Sequence, residues 1–225
     1  MEAIHFTRGK DRTNPTIRLR GGIKIRPIPL KDTKGPGRRR PPPALRWLGM
    51  HFDRKLRFRQ YIEIRAAKAM KVSNHIKALS ATTRGPPAAG LRKIVKTVVL
   101  PTLLYGYEAW YRGRTRPIPG RQASTRLGAH ISLAQRALLK AIRGVLPVWK
   151  TFLKDALFGA SGLPTAQIAL DEARYNYAYR LRTVHKGHPL VSRIEPKIIQ
   201  RGRKAGQAQR PYTNLQLIAS LLPDI

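Results

Sequence analysis

Only 11 of the 225 residues carry a carboxylate, against 45 lysines and arginines. This imbalance constrains the fold more than any motif does. Most cations in such a chain have no acidic partner within it, and a net charge of +34 opposes compaction. Folding must come from apolar faces, with the cations left outside. The apolar share of 42% is enough for a core and argues against wholesale disorder. The charge points to a polyanionic partner, nucleic acid first and an acidic membrane surface second. The length suits one large domain or two small ones.

The same residues exclude several classes of function. There is no cysteine, hence no disulfide framework, thiolate metal site or cysteine nucleophile. No apolar run approaches the roughly 20 residues that span a bilayer, and Met1-Glu2-Ala-Ile-His-Phe6 does not read as a signal peptide. A nuclear or cytoplasmic location is expected, with no membrane and no small-molecule substrate. The acids are scattered, and only Asp171 and Glu172 are adjacent. Clustered carboxylates that hold Mg²⁺ for phosphoryl transfer are therefore missing.

The patterning predicts an α+β chain, strands first and helices after. Glu2–Thr7 alternates apolar and polar residues, the period of a half-buried strand. Thr16–Leu19, Gly21-Gly22 and Ile23–Ile28 read as a hairpin with a Gly-Gly turn. Residues 31–43 form a basic loop of turn residues, and Leu45–Phe52 reads as one further strand. So few strands make a poor independent core, as if the chain began inside a larger domain.

Residues 54–111 are predicted helical. Tyr61, Ala66, Ala69, Met70, Ser73, Ile76 and Lys77 recur at helical spacing, and Gly85-Pro86-Pro87 breaks the chain with a proline suited to a first helical turn. Leu91, Ile94, Val95, Val98, Val99, Thr102 and Leu103 continue as a stripe in which Pro101 predicts a kink or break. A basic linker over 112–124 precedes a helix over 125–145 with Leu127, Ile131, Ala134, Leu138, Ala141, Ile142 and Val145 inward, closed by Pro147. Another helix is predicted over 164–184, with Ile168, Ala169, Ala173, Tyr177 and Leu181 inward. Residues 187–225 are weakly patterned and basic, with room for one short helix at 214–222. The organisation is thus 1–53 strands, 54–111 helices, 112–124 linker, 125–186 helices and 187–225 tail.

Several residues invite a functional reading, each beside a structural one. Gly49, inside the strand pattern Arg46-Trp47-Leu48-Gly49, suggests a bulge or the close approach of another backbone, or simply tolerates core packing. Lys68, Lys71, Lys77, Arg84, Arg92, Lys93 and Lys96 are either phosphate contacts, which position a duplex without reading sequence, or a solvated face. Tyr105, Tyr107, Trp110 and Tyr111 have the spacing of core packing and the chemistry of base stacking. Glu108 reads as a partner in a structural hydrogen bond or ion pair. Arg38-Arg39-Arg40, Arg112, Arg114, Arg116 and Arg121 are backbone-binding arms, an import patch or solubilising loops. Asp171-Glu172 is simplest as a helix N-terminal pair favoured by the macrodipole. His185-x-x-His188 is a weak zinc pattern.

Three segments taken in order resemble LINE-type (non-LTR) retrotransposon reverse transcriptases, most nearly those of fungal elements. They are Glu2-Ala-Ile-His-Phe-Thr-Arg8, Arg46-Trp-Leu-Gly-Met-His-Phe-Asp-Arg-Lys-Leu56 and Leu100-Pro-Thr-Leu-Leu-Tyr-Gly-Tyr-Glu-Ala-Trp-Tyr111. Arg143–Trp149, Gly162-Leu-Pro164 and His188-Pro-Leu-Val191 are similar to the segment that follows the thumb, so the resemblance covers roughly 1–195. It implies a late palm strand at 2–7 and a primer-grip strand at 45–52 pressing Arg46, Trp47 and Gly49 toward the primer backbone. It further implies a thumb at 54–111 whose basic residues track an RNA–DNA hybrid, and a connection at 125–195. The family is an RNA-directed DNA polymerase that uses Mg²⁺, yet its aromatic-x-Asp-Asp motif is absent here. The expectation is a truncated element copy, or a reading frame starting at an internal Met, with no catalysis and no cofactor of its own. It would bind RNA and RNA–DNA hybrids without sequence specificity. The alternative is a free-standing basic RNA-binding or ribosome-associated protein.

Overall fold

The computed structural model describes residues 16–18, 22, 24–25, 44–80, 85–114, 125–195 and 213–222. The strand expected at 2–7, the loop at 31–43, Arg84, Arg116 and Arg121 lie outside them. The architecture is α+β: short antiparallel hairpins, then helices. The chain divides into two compact units, residues 1–67 and 68–225.

In the first unit, β1 (Ile17–Arg18) pairs antiparallel with β2 (Lys24–Ile25), Ile17 opposite Ile25. Gly22 sits in the connection with φ +78°, so the hairpin expected around Gly21-Gly22 is present. The single strand expected over 45–52 is corrected. It is a second hairpin, β3 (Ala44–Trp47) against β4 (Met50–Asp53), with Trp47 opposite Met50. Leu48 (φ +46°) and Gly49 (φ +78°) form the two-residue turn. Positive φ at both central positions matches the right-handed twist of the flanking strands. Gly49 thus lies not inside a strand but in a reversal of the chain. Period-2 patterning cannot reveal this, because Leu48 is an unusual turn residue.

Phe52 meets Phe58 edge-on at 5.9 Å and Trp47 at 6.2 Å, while Phe58, Tyr61 and Ile62 are buried. Asp53 ties this hairpin to the helix that follows. Its carboxylate accepts from the backbone N–H groups of Phe58 (2.8 Å) and Arg57 (3.0 Å), just ahead of α1 (Arg59–Ser80). Asp53 is buried, so removing it strands the buried Phe58 N–H and frees that of the exposed Arg57. Asp53→Ala should cost about 1–3 kcal/mol, read as a lower urea midpoint by the fluorescence of Trp47; an unchanged midpoint would show that these bonds do not hold the turn.

The helix α1 continues into the second unit, where Ala69, Ser73 and Ile76 are buried as the periodicity predicts, while Lys77 is exposed. Ser73 satisfies its buried hydroxyl by donating to the Ala69 carbonyl at 2.8 Å. After the Gly85-Pro86-Pro87 break, α2 (Ala88–Ile94) starts with Pro87 at its N-cap, one position before the expected first turn. A π turn (Val95–Val99) and α3 (Leu100–Leu104) follow without interruption. The Leu100 N–H bonds the Val95 carbonyl, five residues back, just before Pro101, which has no N–H to give. The extra residue absorbs the proline without breaking the helix. It also keeps Leu91, Val95, Val99 and Leu103, spaced by four, on one buried face.

The predicted helix at 125–145 is α4 (Thr125–Val145), and it contacts α2, the π turn, α5 (Lys154–Ser161) and α6 (Ala166–Arg182). Its expected inward residues are buried, apart from the half-buried Ile131. A Cβ on Gly144 would come within 3.2 Å of the Lys77 backbone nitrogen, so here glycine permits two helices to touch. The α5 helix was not expected. It is short and ends on Gly162 in the left-handed region (φ +62°). On α6, Ala169 and Leu181 are buried, Ala173 and Tyr177 half-buried, but Ile168 is 57% exposed, a correction: beside the N-cap Thr165, it points away from the α4 contact.

The tail is more organised than its weak pattern suggests. α7 (Val191–Ile194) and α8 (Asn214–Ala219, within the expected 214–222) bury Ile194, Ile218 and Ala219 against Ala178 and Leu181 of α6. Arg182 donates to the carbonyls of Ala219 and Leu222, both at 3.1 Å, closing the last turn of α8. Asn214 donates to the Ala109 carbonyl at 2.6 Å.

Candidate nucleic-acid interface

The candidate residues fall in both compact units. In the first, Arg46 and Trp47 are exposed at the end of β3, Trp47 to 63%, beside the Leu48-Gly49 turn. In the second, Lys68 and Lys71 stand on the side of α1 away from its buried stripe, and Lys77 lies on the flank of that stripe. Lys93 and Lys96 are exposed on α2 and the π turn. None of these five lysines pairs with an acid among the described residues. Three of the few carboxylates have other partners: Asp53 accepts from backbone N–H groups, Glu63 pairs with Arg59 (3.0 Å) and Asp171 accepts from Tyr111 (2.5 Å). Arg92 differs from the lysines. It is half-buried, and its guanidinium donates to the Ala160 carbonyl at 3.1 Å, tying α2 to α5.

The aromatic cluster belongs to the core rather than to a stacking surface, with Tyr105 the exception at 48% exposure. Its backbone is not the continuous helix expected. Gly106 turns left-handed (φ +66°) and Tyr107–Ala109 form a single 3₁₀ turn. Tyr107 and Tyr111 pack with Leu127 and Leu170, with Trp110 against them. Trp110 meets His130 edge-on at 5.8 Å. The Tyr107 hydroxyl donates to the Ala173 carbonyl (2.6 Å). Glu108, expected in a hydrogen bond or ion pair, makes neither with a described residue. Its charge acts at a distance, opposing ionisation of Tyr107 and Tyr177.

Asp171 is likewise corrected. It lies beyond the first turn of α6, outside the reach of the macrodipole argument, and accepts the hydrogen bond of the buried Tyr111. Nothing in the local sequence could link residues 60 positions apart. His185 and His188 have separate local roles: each accepts from a backbone N–H two residues on, that of Gly187 (3.2 Å) and that of Leu190 (3.1 Å). Among the described residues no three His, Cys, Asp or Glu side chains come together.

Burial pushes the Tyr107, Tyr111 and Tyr177 phenols up from their ordinary pKa of 10.0, and the bond to Asp171 adds to this at Tyr111. In the unfolded chain these phenols ionise near pH 10. Above that pH the unfolded state has lost protons that the folded state retains. The stabilisation is therefore complete below pH 10 and is lost progressively as the pH rises beyond it. The urea midpoint should drop between pH 10 and 11, and less steeply in Tyr111→Phe; equal slopes would contradict the burial of Tyr111.

One exposed segment escaped the sequence reading. Trp149 is 86% exposed and Leu153 77%, with Phe152 beside them and Lys150 and Lys154 interleaved. The signal was available: Pro147 ends the α4 stripe, so the apolar residues beyond it have no helical face to join. In comparisons with known proteins, the chain matches no family model, no curated protein and no solved structure.

Proposed function

We infer that the chain binds the phosphate backbone of RNA and RNA–DNA hybrids without reading sequence. In this reading it is the palm-edge, thumb and connection part of a non-LTR reverse transcriptase, without polymerase activity by itself. The observation that carries it is the set of exposed lysines, Lys68, Lys71, Lys77, Lys93 and Lys96, left without acidic partners in a chain of net charge +34. Unpaired surface cations at this density repel one another, and a polyanion relieves that repulsion. Their flexible ammonium groups suit backbone contacts, which position a duplex and carry no base information.

The test is fluorescence anisotropy with hybrids of unrelated sequence. Affinities should agree within about tenfold, far below the ratios that specific binders show. Replacing Lys68, Lys71, Lys93 and Lys96 together by Gln should weaken binding at least ~10-fold and flatten the salt dependence by about 0.9 per lost contact. Incubation with Mg²⁺, primer–template and dNTPs should extend no primer. Strong preference for one sequence, or primer extension by this chain, would defeat the reading.

A further inference from the structure

The second unit contains an open groove of about 600 Å³ between α4 and the start of α6. Three cations from separate parts of the chain line it: Arg114 after the aromatic cluster, Arg136 on α4 and Lys154 at the start of α5. No acidic residue is among the lining residues. Arg136 and Lys154 are exposed and form no ion pair among the described residues. Three positive charges around one concavity repel each other, and nothing in the lining offsets them.

Two glutamines sharpen the chemistry. Gln135 and Gln167 also line the groove. The Oε1 of Gln135 accepts from the Ala166 backbone N–H (2.7 Å), and the Oε1 of Gln167 accepts from the Arg114 guanidinium (2.9 Å). Both partners can only donate, so the orientation of each amide is decided by its neighbour. Each glutamine therefore spends its acceptor inside the protein and keeps its NH₂ group. The Arg114–Gln167 bond also holds that guanidinium in place. The groove thus offers cations and amide donors, each glutamine carbonyl already has a partner within the protein, and the hydroxyls of Ser132 and Thr165 complete the polar lining. Ile131 and Leu139 supply apolar wall, which focuses the field of the cations.

A cation-lined groove with no carboxylate in its lining recognises oxyanions, and its volume suits several linked phosphates better than one small ion. We propose that this groove seats the phosphodiester backbone of a nucleic-acid strand, with Arg114, Arg136 and Lys154 as the phosphate contacts. The inference rests on the backbone-binding function above, but it uses residues other than the lysines on α1 and α2.

The test compares the wild-type chain with Arg136→Gln/Lys154→Gln, both changes being at exposed positions. Anisotropy of a labelled RNA–DNA hybrid is measured across a KCl series, with circular dichroism as the folding control. The double variant should lose about tenfold or more in affinity and nearly two units of salt slope; Arg136→Lys should keep both. Unchanged binding in the double variant, while the wild type binds, overturns the groove and leaves the general function standing. A wild type that binds no oligonucleotide overturns both. Inorganic phosphate added at constant ionic strength should not displace the hybrid; specific displacement at low millimolar concentration would assign the groove to free phosphate and overturn the strand assignment.

Discussion

Raising KCl from 50 to 200 mM should weaken binding to an RNA–DNA hybrid by about a thousandfold. The magnitude follows from counting available contacts. Lys68, Lys71, Lys77, Lys93 and Lys96 are exposed without acidic partners, and Arg114, Arg136 and Lys154 line one groove. About six of these engaging phosphates would give a slope near −5 in log K against log salt, and a fourfold change in salt then costs roughly three decades. The measurement is anisotropy at four or more salt concentrations. A slope shallower than about −2 would mean that most of these cations never meet a phosphate, and the electrostatic account would fail.

The second large effect is structural. Leu170→Ala should destabilise the helical unit by about 2–5 kcal/mol. Leu170 is fully buried and packs with Tyr107, Tyr111 and Leu127, which belong to two other stretches of chain. Truncation removes apolar contact and leaves a cavity that buried aromatic rings, anchored by their hydroxyls to Asp171 and Ala173, cannot easily fill. Against a typical total of about 5–15 kcal/mol, the loss is severe. Ile168→Ala, two residues away at a site 57% exposed, should stay within about 0.5 kcal/mol. Urea unfolding monitored by circular dichroism distinguishes the two. Equal losses at both sites would contradict the described face of α6.

The contrast between Leu170 and Ile168 shows where the sequence was readable. On α4, apolar residues recur so regularly over 21 residues that boundaries and inward face both follow from spacing. On α6 the spacing selects Ile168, Ala169, Ala173, Tyr177 and Leu181 but not the buried Leu170, because near a helix start an isoleucine looks inward whichever way the neighbour lies. The β3–β4 hairpin was hidden for a different reason. Its turn is Leu48-Gly49, and a leucine at positive φ carries no turn signal. The candidate site was readable as residue types only. Exposed lysines were recognisable as unpaired because the acids are so few. That Arg92 instead ties α2 to α5 depends on where the Ala160 carbonyl lies, 68 residues on.

The sequence by itself therefore determined the charge regime, the α+β class and the principal amphipathic helices. These follow from composition and from periodicities that any local window contains. Only the tertiary structure decided what the few polar pairs do. Asp171 serves Tyr111, and Gln135 and Gln167 give their amide oxygens to Ala166 and Arg114 beside a groove that Arg114, Arg136 and Lys154 make cationic. Periodicity specifies which face of a helix is buried, but not which distant residue lies opposite it. A groove of like charges is a property of that second kind, created when separate helices close on a shared apolar core.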